Sequence, residues 1–133
     1  MIVLDEQLLG RNLEIEIAQW YPGAVCFITD LRPNTIIKDE SIPMLLQEQK
    51  QPTFITINEK DFWRKMQITH HFCVVCFALP DARAAEIPVR LRLLFQQSLF
   101  ATKNQRMGVV IRVTDQEINY YTATDRRVRL INR

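Results

Sequence analysis

Apolar positions follow two rhythms along the chain. Met1 to Asp5, Ala24 to Thr29, Thr53 to Ile57 and Phe72 to Leu79 are short runs with few or no polar breaks, the signature of strands covered on both faces. Between them the apolar residues recur at helical spacing. Leu8, Leu9, Leu13, Ile15, Ile17 and Trp20 predict a helix over Glu6 to Trp20, which Pro22 and Gly23 end. After a loop from Asp30 to Lys38, Asp39 reads as an N-cap, and Ile42, Met44, Leu45 and Leu46 predict a helix from Ser41 to Gln51, with Pro43 in its first turn. Asn58 to Asp61 reads as a polar turn and Phe62 to Met66 as a short helical piece. Ala82 to Thr102 predicts a long helix that Pro88 bends or splits. From Met107 onward the pattern changes to three short strands, Val109 to Val113, Ile118 to Thr122 and Arg127 to Ile131, joined by turns as an antiparallel meander.

Strands alternating with helices predict an α/β protein of three layers, with a mainly parallel central sheet and an antiparallel C-terminal β extension. The 133 residues suit one domain, an α/β core over about residues 1–106 followed by the extension over about 107–133. The longest apolar run, Phe72 to Leu79, is far shorter than the roughly 20 residues of a membrane span, and Asp5 and Glu6 interrupt any signal-peptide start. Cys26, Cys73 and Cys76 are odd in number and sit in apolar stretches, which points to a reducing, cytoplasmic setting and to thiols used as small core residues. No G-x-G-x-x-G or Walker-type loop is present, which argues against a nucleotide cofactor.

Charge is unevenly distributed. Residues 1–81 hold seven Lys/Arg against eleven Asp/Glu, whereas residues 82–133 hold ten against four. In parallel sheets ligands bind beyond the carboxyl ends of the strands. Asp5, Asp39, Glu59 and Asp61 fall at or just after such ends, where converging carboxylates suit Mg²⁺ or Mn²⁺. The same acids also suit solvated turns and helix starts. Lys60, Arg64 and Lys65, with Trp63 beside them, and Arg126, Arg127 and Arg129, with Tyr120 and Tyr121, are candidate RNA contacts, although core packing of Trp63 explains it as well. His70 and His71 lie next to each other at a strand start and read as edge residues. Cys73 and Cys76 lie three apart on one strand and so face opposite ways, and no second pair completes a site, which argues against zinc.

Leu4-Asp5-Glu6-Gln7-Leu8, then Asp30-Leu31, then Asp39-Glu40-Ser41-Ile42, then Thr56-Ile57-Asn58-Glu59-Lys60-Asp61-Phe62 form an ordered set of motifs across residues 1 to about 80. It resembles the small PIN-like nuclease domains that serve as toxins in bacterial toxin–antitoxin pairs, where these places read L-D-E-N-L, D-E-E-I and T-N-D-K-D-F. The resemblance implies a PIN-like α/β/α fold and an endoribonuclease that uses Mg²⁺ or Mn²⁺ to hydrolyse RNA phosphodiesters. It implies Asp5, Asp39, Glu59 and Asp61 as metal-holding, catalytic acids, with RNA as substrate and a small antitoxin protein as partner. In such a site Lys60 or Arg64 would serve as electrostatic helpers. The strands from Gly108 onward lie outside the resemblance and are expected to serve homodimerisation, antitoxin docking or RNA contact. Glu59 stands where the family has aspartate, and Gln7 where it has asparagine. Those departures keep a second expectation open, a catalytically degenerate PIN-like module that binds RNA or a protein partner. A receiver-like regulatory domain is a third, but no phosphoacceptor after a central strand is evident.

Overall fold

The computed structural model describes residues 1–132. Five strands run parallel: β1 (Ile2–Leu4), β2 (Val25–Phe27), β3 (Thr53–Thr56), β4 (Cys73–Phe77) and β5 (Val109–Val113). Antiparallel β6 (Glu117–Thr122) and β7 (Arg129–Asn132) extend them into one seven-stranded sheet ordered β2-β1-β3-β4-β5-β6-β7. The α/β class, the mainly parallel sheet and the antiparallel C-terminal part all agree with the reading of the sequence. β5, however, is no part of an appendage: it pairs parallel to β4, Val75 opposite Ile111, so only β6 and β7 are antiparallel additions.

The period-two alternation of the strands builds two cores. Ile2, Leu4, Ile55, Val75 and Ile111 point to the layer formed by α1 (Leu13–Ala18) and α5 (Ile87–Phe95), where Leu13, Ile17, Ile87, Leu91 and Leu94 are buried. Val3, Phe54, Val74, Cys76 and Val110 point the other way, onto α3 (Ile42–Gln47) and α4 (Glu59–Phe62) through Ile42, Leu45, Leu46 and Phe62. Each such side chain contributes about 1.5–3 kcal/mol by leaving water. β4 lies in the middle, buried at all of its positions, which is why its sequence carries no polar residue.

Several local expectations are corrected. The helix expected over Glu6 to Trp20 is a 3₁₀ turn, Glu6–Leu8, and the separate α1, because Gly10 (φ 78°) and Asn12 (φ 61°) adopt left-handed backbone that no helix can include. The second strand stops at Phe27 and α2 (Ile28–Leu31) begins at once, so Asp30 is helical. Its carboxylate turns back to accept the Phe27 N–H at 2.9 Å. Asp39 is not an N-cap: it opens a 3₁₀ turn, Asp39–Ser41, and no side chain caps that turn or α3. The expected polar turn at Asn58 to Asp61 is mostly α4, with Glu59 and Asp61 in its only turn. The long helix over Ala82 to Thr102 is split. A 3₁₀ segment, Asp81–Glu86, precedes α5, whose first turn takes Pro88 where its missing N–H costs no bond. A further 3₁₀ turn, Ser98–Phe100, leads to α6 (Lys103–Arg106), capped reciprocally by Thr102 and Gln105. Among the described residues no helix is long and apolar enough to cross a membrane.

Candidate functional site

The chain passes from β1 outward to β2, then returns to lay β3 on the other side of β1. The segments leaving β1 and β3 therefore diverge, and the crevice opens at the carboxyl ends of these two strands. Asp5 leaves β1 there, its N–H bonded to the Ile55 carbonyl of β3 at 2.9 Å. Only 5% of Asp5 is exposed. Thr56, at the end of β3 and wholly buried, donates its hydroxyl to Asp5 Oδ2 at 2.7 Å. The same hydroxyl accepts the Asn58 N–H at 3.0 Å. Burial pushes the Asp5 carboxyl above the ordinary range, and Asp39 and Glu6 push it the same way; the Thr56 hydroxyl and the Glu6 amide oppose them.

Asn58 links this pair to the next acid. Its Nδ2 donates to Asp61 Oδ2 at 2.6 Å, and Asp61 shares a cleft with Asp39. Desolvation raises the Asp39 carboxyl, with the charges of Asp61, Glu40 and Glu6 adding to it. Asp39 and Asp61 line a cleft of about 760 Å³, together with Met44, Gln47, Lys65 and Met66. Asp5, Asp39 and Asp61 thus gather at the switch point. Among the described residues, no three His, Cys, Asp or Glu side chains are grouped closely enough to hold a metal ion as they stand.

Glu59 does not join them. Its carboxylate faces β5, where Arg112 Nε reaches Oε2 at 3.1 Å and Nη2 reaches Oε1 at 3.3 Å. Arg112 Nη1 also donates to Asn119 of β6 at 3.3 Å. Sequence reasoning passed over Thr56, Asn58 and Arg112. Each had a signal: Thr56 and Asn58 lie within the quoted motif, and Arg112 is a lone cation in an otherwise apolar strand, which needs a partner when partly buried.

The basic candidates divide. Lys60 and Lys65 are exposed, and Lys65 lines the cleft beside Asp61. Arg127 is exposed, and Arg129 pairs with Asp125 at 2.9 Å. Arg64 and Arg126 both lie on the Tyr121 ring, 4.6 and 4.9 Å from its centroid. Trp63 meets the same ring edge-on at 5.2 Å, and Tyr121 is wholly buried. Tyr120 packs on Phe100 in the opposite layer. Trp63, Tyr120 and Tyr121 are therefore packed residues rather than an open stacking platform. His70 and His71 are exposed and line a separate cavity of about 600 Å³ with Lys50, Gln51, Asn104 and Met107. Cys73 and Cys76 are core residues of opposite layers, and burial pushes the Cys73 thiol up to about 12. Comparisons with protein-family models, with curated proteins and with solved structures return no match to this chain.

Proposed function

We propose that the protein is a PIN-like, divalent-metal-dependent endoribonuclease acting at Asp5, Asp39 and Asp61. The observation that carries the reading is that Asp39 and Asp61 line one cleft, with the buried Asp5 at the end of β1 beside it. Carboxylates sharing one cleft favour a proton or a cation between them, and three aspartate carboxylates are hard oxygen donors of the kind Mg²⁺ and Mn²⁺ prefer. The donor chemistry fits such an ion, and Asp5, Asp39 and Asp61 are the residues that would hold it. When bound, it would supply activation of water and relief of charge on the phosphoryl oxygens.

The chain's own groups do the rest. Thr56 fixes the Asp5 carboxylate, and Asn58 fixes that of Asp61. Lys65, at the wall of the cleft, draws the polyanion in against the local negative charge. Lys60, exposed on α4, adds to that field. The resemblance extends the reading to the toxin of a toxin–antitoxin pair with a small antitoxin protein as partner. Ile36, 90% exposed, and Met44, 62% exposed, lie close to Asp39 in sequence and give such a partner apolar footholds.

One observation favours a second reading, a catalytically degenerate module that binds without cutting. Glu59, which the family pattern assigns to the metal, is engaged by Arg112 instead. Incubating a mixed RNA pool with the protein and Mn²⁺ or Mg²⁺, beside EDTA and beside an Asp5→Asn, Asp61→Asn double variant, separates the two. Cleavage that requires both the ion and the aspartates is expected. A folded wild type as inert as the variant overturns the nuclease and leaves the binding module.

A further inference from the structure

Arg64 and Arg126 come from distant parts of the chain and are locked together over one ring. Arg64 Nη1 donates to the Arg126 carbonyl at 3.0 Å, and Arg126 Nη2 donates to the Arg64 carbonyl at 3.4 Å. Both guanidinium groups contact the Tyr121 ring, whose hydroxyl donates to the Trp63 carbonyl at 2.6 Å, so the ring itself is pinned. Burial of Tyr121 alone does not call for two arginines. Among the described residues neither guanidinium has a carboxylate partner, unlike Arg11, Arg83, Arg90, Arg112 and Arg129. Each bonds a single carbonyl, and a guanidinium has five N–H donors in a rigid fork. The remaining N–H donors of both forks are held on an exposed surface, a geometry that suits the oxygens of a phosphate.

Position selects the kind of phosphate. Arg64 follows Asp61 by three residues and precedes Lys65, which lines the cleft holding Asp39 and Asp61. Arg64 is thus the immediate chain neighbour of a cleft-lining residue, and a polymer of phosphodiesters, unlike a free phosphate, is long enough to touch both the arginine pair and the cleft. The Tyr121 ring is wholly buried and Trp63 is half-buried and packed edge-on against it, so contact is taken to be to the backbone and independent of sequence. We infer that Arg64 and Arg126, held over Tyr121, form a binding site for the phosphodiester backbone of single-stranded RNA, adjoining the carboxylate cleft. This deepens the nuclease reading and rests on it for the identity of the polynucleotide.

The test is fluorescence anisotropy with a short labelled single-stranded RNA of mixed sequence, in EDTA so that nothing is cut, over a series of salt concentrations. Changing both Arg64→Gln and Arg126→Gln is expected to reduce the slope of log K against log salt by about 1.4, two phosphates at about 0.7 each, and to weaken binding roughly 25-fold near 0.1 M salt. Arg92→Gln, an exposed change on α5 in the other helical layer, is expected to change neither. An Arg64→Lys, Arg126→Lys variant keeps the charge and is expected to keep the slope even if the stacking suffers. An unchanged slope in the glutamine variant overturns the site, as does equal loss in the glutamine and lysine variants, which would mark a structural role. Binding of inorganic triphosphate without binding of RNA also overturns it. Arginine-dependent RNA binding by a wild type that cuts nothing with Mn²⁺ upholds the site while the nuclease reading falls.

Discussion

Arg112 holds Glu59 through two hydrogen bonds, Nε to Oε2 at 3.1 Å and Nη2 to Oε1 at 3.3 Å, and so directs the first acid of α4 away from the aspartates at the switch point. Both side chains are less than one-third exposed, 28% for Arg112 and 31% for Glu59, so the pair is screened less than a surface ion pair. A double-mutant cycle of Glu59→Gln with Arg112→Gln is expected to give a coupling of about 0.5–1 kcal/mol in urea denaturation. On the proposed nuclease function, Glu59→Gln is expected to leave metal-dependent RNA cleavage within about twofold of wild type and Asp61→Asn to abolish it. Equal loss in both variants would return Glu59 to the ligand set.

Asp5 is an acid whose carboxyl is raised in the folded protein, chiefly by burial. A raised acid binds its proton more tightly when folded, so this residue costs nothing below its unfolded pKa, and stability falls as pH rises through the folded value. Asp5→Asn keeps an acceptor for the Thr56 hydroxyl and removes the buried charge. At pH 7 it is expected to stabilise the fold by about 1 kcal/mol, roughly 3–5 °C in Tm, with the gain vanishing at low pH where wild-type Asp5 is protonated. Thermal denaturation at both pH values measures it, and a destabilised variant at pH 7 would show that the ionised carboxylate is needed for folding.

Thr56 carries two hydrogen bonds with one hydroxyl, donating to Asp5 and accepting from the Asn58 N–H. Thr56→Val fills the same space but leaves both groups without their partner in a fully buried place. Leaving a buried polar group unsatisfied costs about 1–3 kcal/mol, so a loss of roughly 2–3 kcal/mol is expected in urea denaturation. Cleavage is expected to fall as well, because Asp5 and Asn58 both lose their support. A near-neutral effect would mean that water replaces the hydroxyl.

What the sequence reveals and what it conceals divide along the distance between interacting residues. Phe72 to Leu79 reads directly as a doubly covered strand, because burial on both faces leaves its mark on consecutive positions. Pro88 and Pro43 mark helix starts for an equally local reason. Gly10 and Asn12 break the first helix through their own backbone, a signal that the apolar spacing around them outweighed. At the candidate site, Asp5, Asp39 and Asp61 were legible as acids following strands. The capture of Glu59 was not, since its partner lies 53 residues further on and pairing across β4 and β5 decides which residue it meets. The Arg64–Arg126 pair, 62 residues apart in the chain, was legible as basic composition but not as a single locked unit.

The acidic side of the stability profile is expected to depend on another cluster. Arg83 and Arg90 both grip Glu86 and Asp115, joining the 3₁₀ segment before α5, α5 itself and the turn between β5 and β6. Hydrogen bonds from Arg83 and Arg90 hold the Glu86 carboxyl down to about 2 and that of Asp115 well below the usual carboxylate range. For an acid with a depressed folded pKa, the contribution to stability is present above the unfolded value, near 4.5 for Glu86, and is lost as pH falls through the folded value. Wild type is therefore expected to melt above a Glu86→Gln, Asp115→Asn variant at pH 7, with the two melting temperatures converging as pH falls towards 2. Because the acids are exposed, the difference is also expected to shrink in high salt. Melting temperatures that differ as much at the acid end as at pH 7 would assign the variant's loss to packing rather than to charge.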